Sequence, residues 1–337
     1  MKLAKWKLLP LLAVTLLTAA MAGACGGTTP EAGHEHEMAE PAVDPGSLEP
    51  VALGADEELR VVATTNIVGD VVGQVGGDQI ELTTLMGIGI DPHSYVPNPA
   101  DTAAIHDAHV VFANGAGLEA DLEEVFEAAG GNAVHIHVSH GVEHRSAGGM
   151  DEDNGAENEQ EEDVDPHVWF DVENVIHWVE TIEGALSALD PANAGAYRAN
   201  AQAYTRQLED LDAWVVKQLA TIPEANRKLV TNHPAFAYLE RYGLEQVGAV
   251  YPVSPSAEPS ARDIAELEDT IGDYGVPAIF TESTVNPKLA QQVADDTGVT
   301  LVALYSGSLG EPGSGAETYI LLIRYDVATI VDALKGP

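Results

Sequence analysis

The feature that most constrains the fold is a stripe in the middle of the chain. Apolar or aromatic residues fall at Tyr197, Ala201, Tyr204, Leu208, Leu211, Val215 and Leu219, the 4-3-4-3-4-4 spacing of one face of a long helix. Asp190 and Pro191 are suited to start it as N-cap and first helical residue, and Pro223 stops it. About 30 residues at 1.5 Å each reach about 45 Å, enough to run the length of a two-lobed protein and join its halves stiffly. No other segment reads as a helical partner of comparable length.

Either side of this helix, short β-rich runs alternate with helical ones. Before it, residues 59–64, 80–86, 109–113 and 133–138 read as strands, and 67–75, 100–108 and 118–129 as helices. After it, residues 228–231, 246–251, 278–281 and 300–305 read as strands. Helices are expected from 236, from Ser260 (N-cap, with Asp263 in the capping-box position), over 287–297 and over 316–334. Alternation of this kind predicts an α/β fold of two similar parallel-sheet lobes, with ligands beyond the carboxyl ends of strands. The expected organisation is an N-terminal lobe over 59–189, a connecting helix over 190–222 and a C-terminal lobe over 223–337.

Chemistry concentrates beside prolines. Asp91-Pro92-His93 and Asp165-Pro166-His167 repeat one motif, and Asn232-His233-Pro234 sets a third histidine against a proline. Proline fixes its own φ and biases the residue before it toward extended backbone, so each histidine sits at a stiff point. Neutral imidazole is the commonest metal ligand. His93, His167 and His233 are therefore the candidate ligands of one metal held between the lobes. Glu282, at the end of a strand, is the first choice for a fourth ligand, ahead of water; its other possible role is to accept a hydrogen bond from a ligand imidazole.

The rest of the chain narrows the setting. Lys2, Lys5 and Lys7, an apolar run and the small residues Ala22-Gly23-Ala24 form an export signal over 1–24. It precedes Cys25, the one cysteine, which is the candidate lipidation site, with Ala22 where such signals usually carry Leu. No second cysteine exists for a disulfide or a thiolate site. Residues 25–58, containing His34 and His36, read as a flexible tether. The net charge of −39 repels nucleic acid and anionic lipid, which excludes nucleic acid as a partner and leaves membrane contact to a lipid anchor. An acidic loop over 139–164 carries nine acids and no base between Asp151 and Asp165. Its His140 and His144 are candidates for a secondary metal site.

In this ordered set, together with His233-Pro234-Ala235-Phe236-Ala237-Tyr238, Glu258-Pro259-Ser260 and Gly310-Glu311-Pro312-Gly313-Ser314-Gly315, the chain resembles the zinc- and manganese-binding solute-binding lipoproteins of bacterial ABC transporters. The resemblance implies two α/β lobes on a rigid helix, a metal in the interlobe cleft, and delivery to a membrane permease by a monomeric, lipid-anchored extracytoplasmic protein. It implies Zn²⁺ before Mn²⁺, because manganese-type members carry a carboxylate where His233 stands. Many members place an aspartate where this chain has Gly307. Two other classes compete. A zinc hydrolase would also use three histidines, but neither HExxH nor GxSxG occurs. A surface adhesin would share the export signal and acidity, but need not saturate with one metal ion.

Overall fold

The computed structural model describes residues 47–54, 57–146, 164–251 and 258–336. The export signal, Cys25, His34, His36, most of the tether and the acidic run over 147–163 lie outside the described residues.

The first lobe is built as β1 (Leu59–Ala63), α1 (Asn66–Gly76), β2 (Ile80–Thr84), α2 (Pro99–Asp107), β3 (Val110–Ala113), α3 (Ala120–Ala129) and β4 (Val134–His137). Its strands are all parallel, in the order β2-β1-β3-β4. Central strands covered by helices on both faces must be apolar throughout rather than alternating, and every residue of Val110-Val111-Phe112-Ala113 is buried.

Two helices follow, α4 (Val172–Leu189) and α5 (Ala194–Leu219). The buried residues of α5 are Tyr197, Ala201, Tyr204, Leu208, Leu211, Val215 and Leu219, the stripe read from the sequence. Two expectations are corrected here. The long helix does have a partner, because α4 packs along it and buries Val172, Val175, Trp178, Val179, Ile182, Ala185, Leu186 and Leu189. Asp190 does not start the long helix. It closes α4, and its carboxylate accepts hydrogen bonds from Tyr197 Oη (2.8 Å) and Asn193 Nδ2 (2.7 Å). The helix proper is 26 residues long, about 39 Å at 1.5 Å per residue.

The second lobe repeats the first: β5 (Lys228–Thr231), β6 (Glu245–Ala249), α6 (Ala261–Tyr274), β7 (Ala278–Glu282), α7 (Lys288–Thr297), β8 (Thr300–Leu304) and α8 (Tyr319–Leu334). Its parallel sheet has the order β6-β5-β7-β8. The expected helix after Phe236 is a tight 3₁₀ segment, Ala237–Tyr242, ended by Gly243 in the left-handed region at φ 84°. The Ser260–Asp263 capping box forms as read. No helix among the described residues is long and apolar enough to cross a membrane.

Both sheets share one topology, and in each the strand order reverses at the centre. Such a reversal opens a crevice at the carboxyl ends of the strands, where open α/β sheets bind ligands. In the second lobe the reversal lies between β5 and β7, whose ends carry His233 and Glu282.

Candidate metal centre

Each Asp-Pro-His motif builds the same local structure. Asp91 is extended (φ −77°, ψ 120°), and its Oδ1 accepts the backbone N–H of His93 at 3.0 Å. Asp165 Oδ1 accepts the backbone N–H of His167 at 2.9 Å. The aspartate thus turns the chain over the proline and fixes the amide of the histidine two residues on, as Asp does in Asx turns.

The second motif goes further. Asp165 is fully buried, and its Oδ1 also lies 2.7 Å from His167 Nδ1. Its own carbonyl accepts from Tyr238 Oη (2.9 Å), and the Pro166 carbonyl accepts from Asn114 Nδ2 (3.0 Å). Upstream, the base of the acidic loop is pinched by an antiparallel bridge between Ser146 and Val164 and by the Asp165 N–H bond to Arg145 O (2.8 Å).

His233 is held in a similar way from the other lobe. It leaves β5 where Thr231 Oγ1 donates to the His233 carbonyl at 2.7 Å. Glu282 Oε1 accepts the His233 backbone N–H (3.1 Å) and lies 2.6 Å from its ring Nδ1.

A carboxylate on Nδ1 selects the tautomer that carries its proton there, which leaves the Nε2 lone pair free. The Nε2 atoms of His167 and His233 are 3.1 Å apart, and those of His93 and His167 are 3.0 Å apart. In the neutral tautomers whose protons point to the carboxylates, no hydrogen remains to bridge the His167–His233 pair. Two lone pairs face each other at contact distance, an arrangement that a cation between them relieves. Nitrogens at 2.0–2.1 Å from a tetrahedral Zn²⁺ stand about 3.3 Å apart, so the separations of His167 from His93 and from His233 are within a few tenths of an ångström of those in a zinc-binding set.

Among the described residues, this trio is the one group of His, Cys, Asp or Glu whose ligand atoms converge, all within 4.8 Å of one another. Glu282 is not part of it. It sits on the Nδ1 side of His233, away from the converging Nε2 atoms, so the geometry supports an orienting carboxylate and goes against direct ligation. Among the described residues, His140 and His144 do not join a ligand group either. Both are exposed, and the His140 carbonyl accepts from His177 Nε2 at 2.8 Å. The residue that sequence reasoning missed is Asp165 as the orienter of His167. The motif set an aspartate two residues before the histidine, but the same motif at Asp91 reaches only the backbone, so the orienting role shows only in the fold.

Gly307, where the resemblance led to an expected aspartate, lies against the first motif. A Cβ there would stand 2.7 Å from Pro92 Cδ. The neighbouring Ser306 carbonyl accepts Trp169 Nε1–H at 3.0 Å, which ties this loop to the second motif.

Burial, and then the neighbouring His167 and His233, push the His93 imidazole down to about 3. Protons compete with metal for ligand nitrogens. A ligand whose pKa lies far below the working range gives up no proton when it binds, so His93 adds nothing to the pH dependence between pH 5 and 8. Three exposed imidazoles near the reference value of about 6.5 would release up to about three protons per metal at low pH. With His93 silent, at most two protons leave per metal bound, so the slope of log affinity against pH, measured by chelator competition, is expected to stay at or below about two down to pH 5. A slope that climbs clearly above two toward pH 5 would show that His93 takes up a proton there like an exposed histidine.

The sequence matches the family described as ZnuA, zinc-uptake complex component A, periplasmic, over residues 61–333. The chain belongs to this family. It is 35% identical over 281 residues to the manganese-binding lipoprotein MntA of Halalkalibacterium halodurans, covering 83% of this chain and 89% of that one. To the zinc-binding protein TroA of Treponema pallidum it is 32% identical over 287 residues, covering 83% and 90%. The solved structure of that periplasmic zinc-binding protein superimposes with a TM-score of 0.74 at 31% identity, over 83% of this chain and all of the other. The ZnuA family supplies metal-binding, substrate-binding components of ABC transporters. This protein is such a component and not an enzyme.

Proposed function

We propose that the protein captures Zn²⁺ outside the cytoplasm with His93, His167 and His233 and hands it to an ABC permease for import. The observation that carries this reading is the convergence of three Nε2 atoms, two of them on imidazoles whose Nδ1 atoms are already held by buried carboxylates. Imidazole suits Zn²⁺, whereas Mn²⁺ favours oxygen ligands and stands lower in the Irving–Williams order. Relatives of both kinds, manganese-binding and zinc-binding, are similar to this chain, and the donor set is what supports zinc. Here the carboxylates Asp165 and Glu282 orient imidazoles instead of ligating, and Gly307 offers no side chain. The fourth position is left to water, which eases release to the permease.

The export signal over 1–24 and Cys25 support anchoring by a lipid on that cysteine, with the lobes over 59–189 and 223–337 working as a monomer around the helix between them. Elemental analysis of protein purified without added metal, followed by competition between the two ions, tests the metal. Zn²⁺ is expected to outcompete Mn²⁺ by on the order of a hundredfold or more. Equal affinity, or a preference for Mn²⁺, would overturn the zinc reading and leave metal capture itself in place.

A further inference from the structure

His93 differs from the other two candidate ligands in how it is held. Among the described residues no carboxylate bonds to its ring, and the loop that carries it has little apolar anchorage. After Met86, which is buried, Ile88 and Ile90 are 41% and 40% exposed, and the chain returns to the interior only at Pro92. Gly89, at φ +77°, takes a backbone conformation that a side chain would strain. A loop whose side chains point outward keeps its place through its backbone, so its hydrogen bonds decide where His93 sits.

Within the loop, Asp91 fixes the His93 amide; the side-chain bonds that tie residues 86–89 to the rest of the molecule come from two residues on opposite lobes. Asn66, the first residue of α1, has its Nδ2 within reach of Gly87 O (3.0 Å), Met86 O (3.3 Å) and Ser308 Oγ (3.0 Å). Its Oδ1 accepts the Leu309 N–H at 2.8 Å. Ser308, fully buried and lying just beyond β8, accepts the Gly89 N–H at 2.7 Å and donates to the Leu309 carbonyl at 3.0 Å. The ligand loop is thus gripped on one side by its own lobe and on the other by the opposite lobe. Next to this grip, the bare Cα of Gly307 lets Pro92 approach closely.

We propose that Asn66 and Ser308 are positioning residues for metal capture: they form an interlobe latch that holds the His93 loop so that its imidazole meets those of His167 and His233. The latch spans the two lobes, so separating them releases the His93 loop at the same time as it moves His233 away from His167. Metal release is thereby concerted rather than stepwise. The inference rests on the reading that His93 is a ligand.

The test is zinc affinity, by chelator competition, for Asn66→Ala in the otherwise natural chain and in a His93→Ala background. Outer partners of ligands are worth roughly 10–100-fold in metal affinity. The latch predicts a loss of about tenfold in the natural chain, through faster dissociation, and no further loss once His93 is gone. An equal loss in both backgrounds would mean a general structural role and overturn the proposal. So would unchanged affinity of Asn66→Ala beside a clear loss in His93→Ala. If His93→Ala itself binds normally, the ligand assignment falls, an outcome distinct from failure of the latch alone. Should Asn66→Ala fail to fold, Ser308→Ala takes its place under the same criteria, since it removes the Gly89 contact and leaves the Asn66 bonds to Met86 and Gly87.

Discussion

Replacing His167 with Ala is expected to lower zinc affinity by about a thousandfold, and His233→Ala by a similar factor. Zinc held by protein ligands is worth on the order of 12 kcal/mol, so one of three protein ligands carries about 4 kcal/mol, and each 1.4 kcal/mol is a factor of ten. His167 is the middle member of the trio, since its Nε2 is 3.0 Å from that of His93 and 3.1 Å from that of His233. Its loss leaves two nitrogens on opposite lobes with nothing between them. The variant should keep its fold, because the adjacent Val168, Trp169 and Phe170 carry the packing of this segment. Chelator competition gives the affinity, and circular dichroism with thermal unfolding checks the fold. Affinity within threefold of the natural chain would remove His167 from the site.

The second large effect is expected at the carboxylates behind the imidazoles. Glu282→Gln and Asp165→Asn should each weaken zinc binding by roughly 10–100-fold. The amide oxygen can still accept from Nδ1, but the negative charge that raises the basicity of the ring is gone. Glu282→Ala should cost more than Glu282→Gln, because it leaves both the backbone N–H and the ring N–H of His233 without their acceptor in a buried place. The ranking separates two roles. An orienting carboxylate makes Glu282→Gln milder than His233→Ala, whereas a direct ligand would make the two equally damaging. X-ray absorption at the zinc edge gives a second readout. Three imidazoles and one water should remain around zinc in Glu282→Gln, and loss of an oxygen ligand on that substitution would restore Glu282 to the coordination sphere.

These expectations lean on features with different histories in the sequence. The helix α5 was legible residue by residue, because an amphipathic stripe is a local property and its period is fixed by 3.6 residues per turn. The same pattern lay in α4 at Val172, Val175, Val179, Ile182 and Leu186. The capping qualities of Asp190 and Pro191 just after it drew the start of the long helix too early. An aspartate before a proline suits a helix start, but at this point the carboxylate is taken by Tyr197 and Asn193, and the next helix begins only at Ala194.

The sequence by itself determined the strands, most of the helices, their alternation and the three histidines. Propensity, periodicity and the stiffness of proline-flanked residues act over a few positions and need no partner. Tertiary structure decided what each carboxylate does. Asp165 and Asp91 stand in the same motif and look alike on paper. Yet Asp165 is fully buried and sits on its histidine's ring, while Asp91 holds only the backbone of His93 and the hydroxyl of Ser94 at 3.1 Å. Glu282 reaches His233 across 49 positions of sequence, and Asn66 reaches Ser308 across 242. Such pairings follow from the order in which strands are laid side by side, a property of the whole chain packing at once. No local pattern encodes which nitrogen of an imidazole a distant carboxylate will face, and that choice is what turns three histidines into a site for a metal ion.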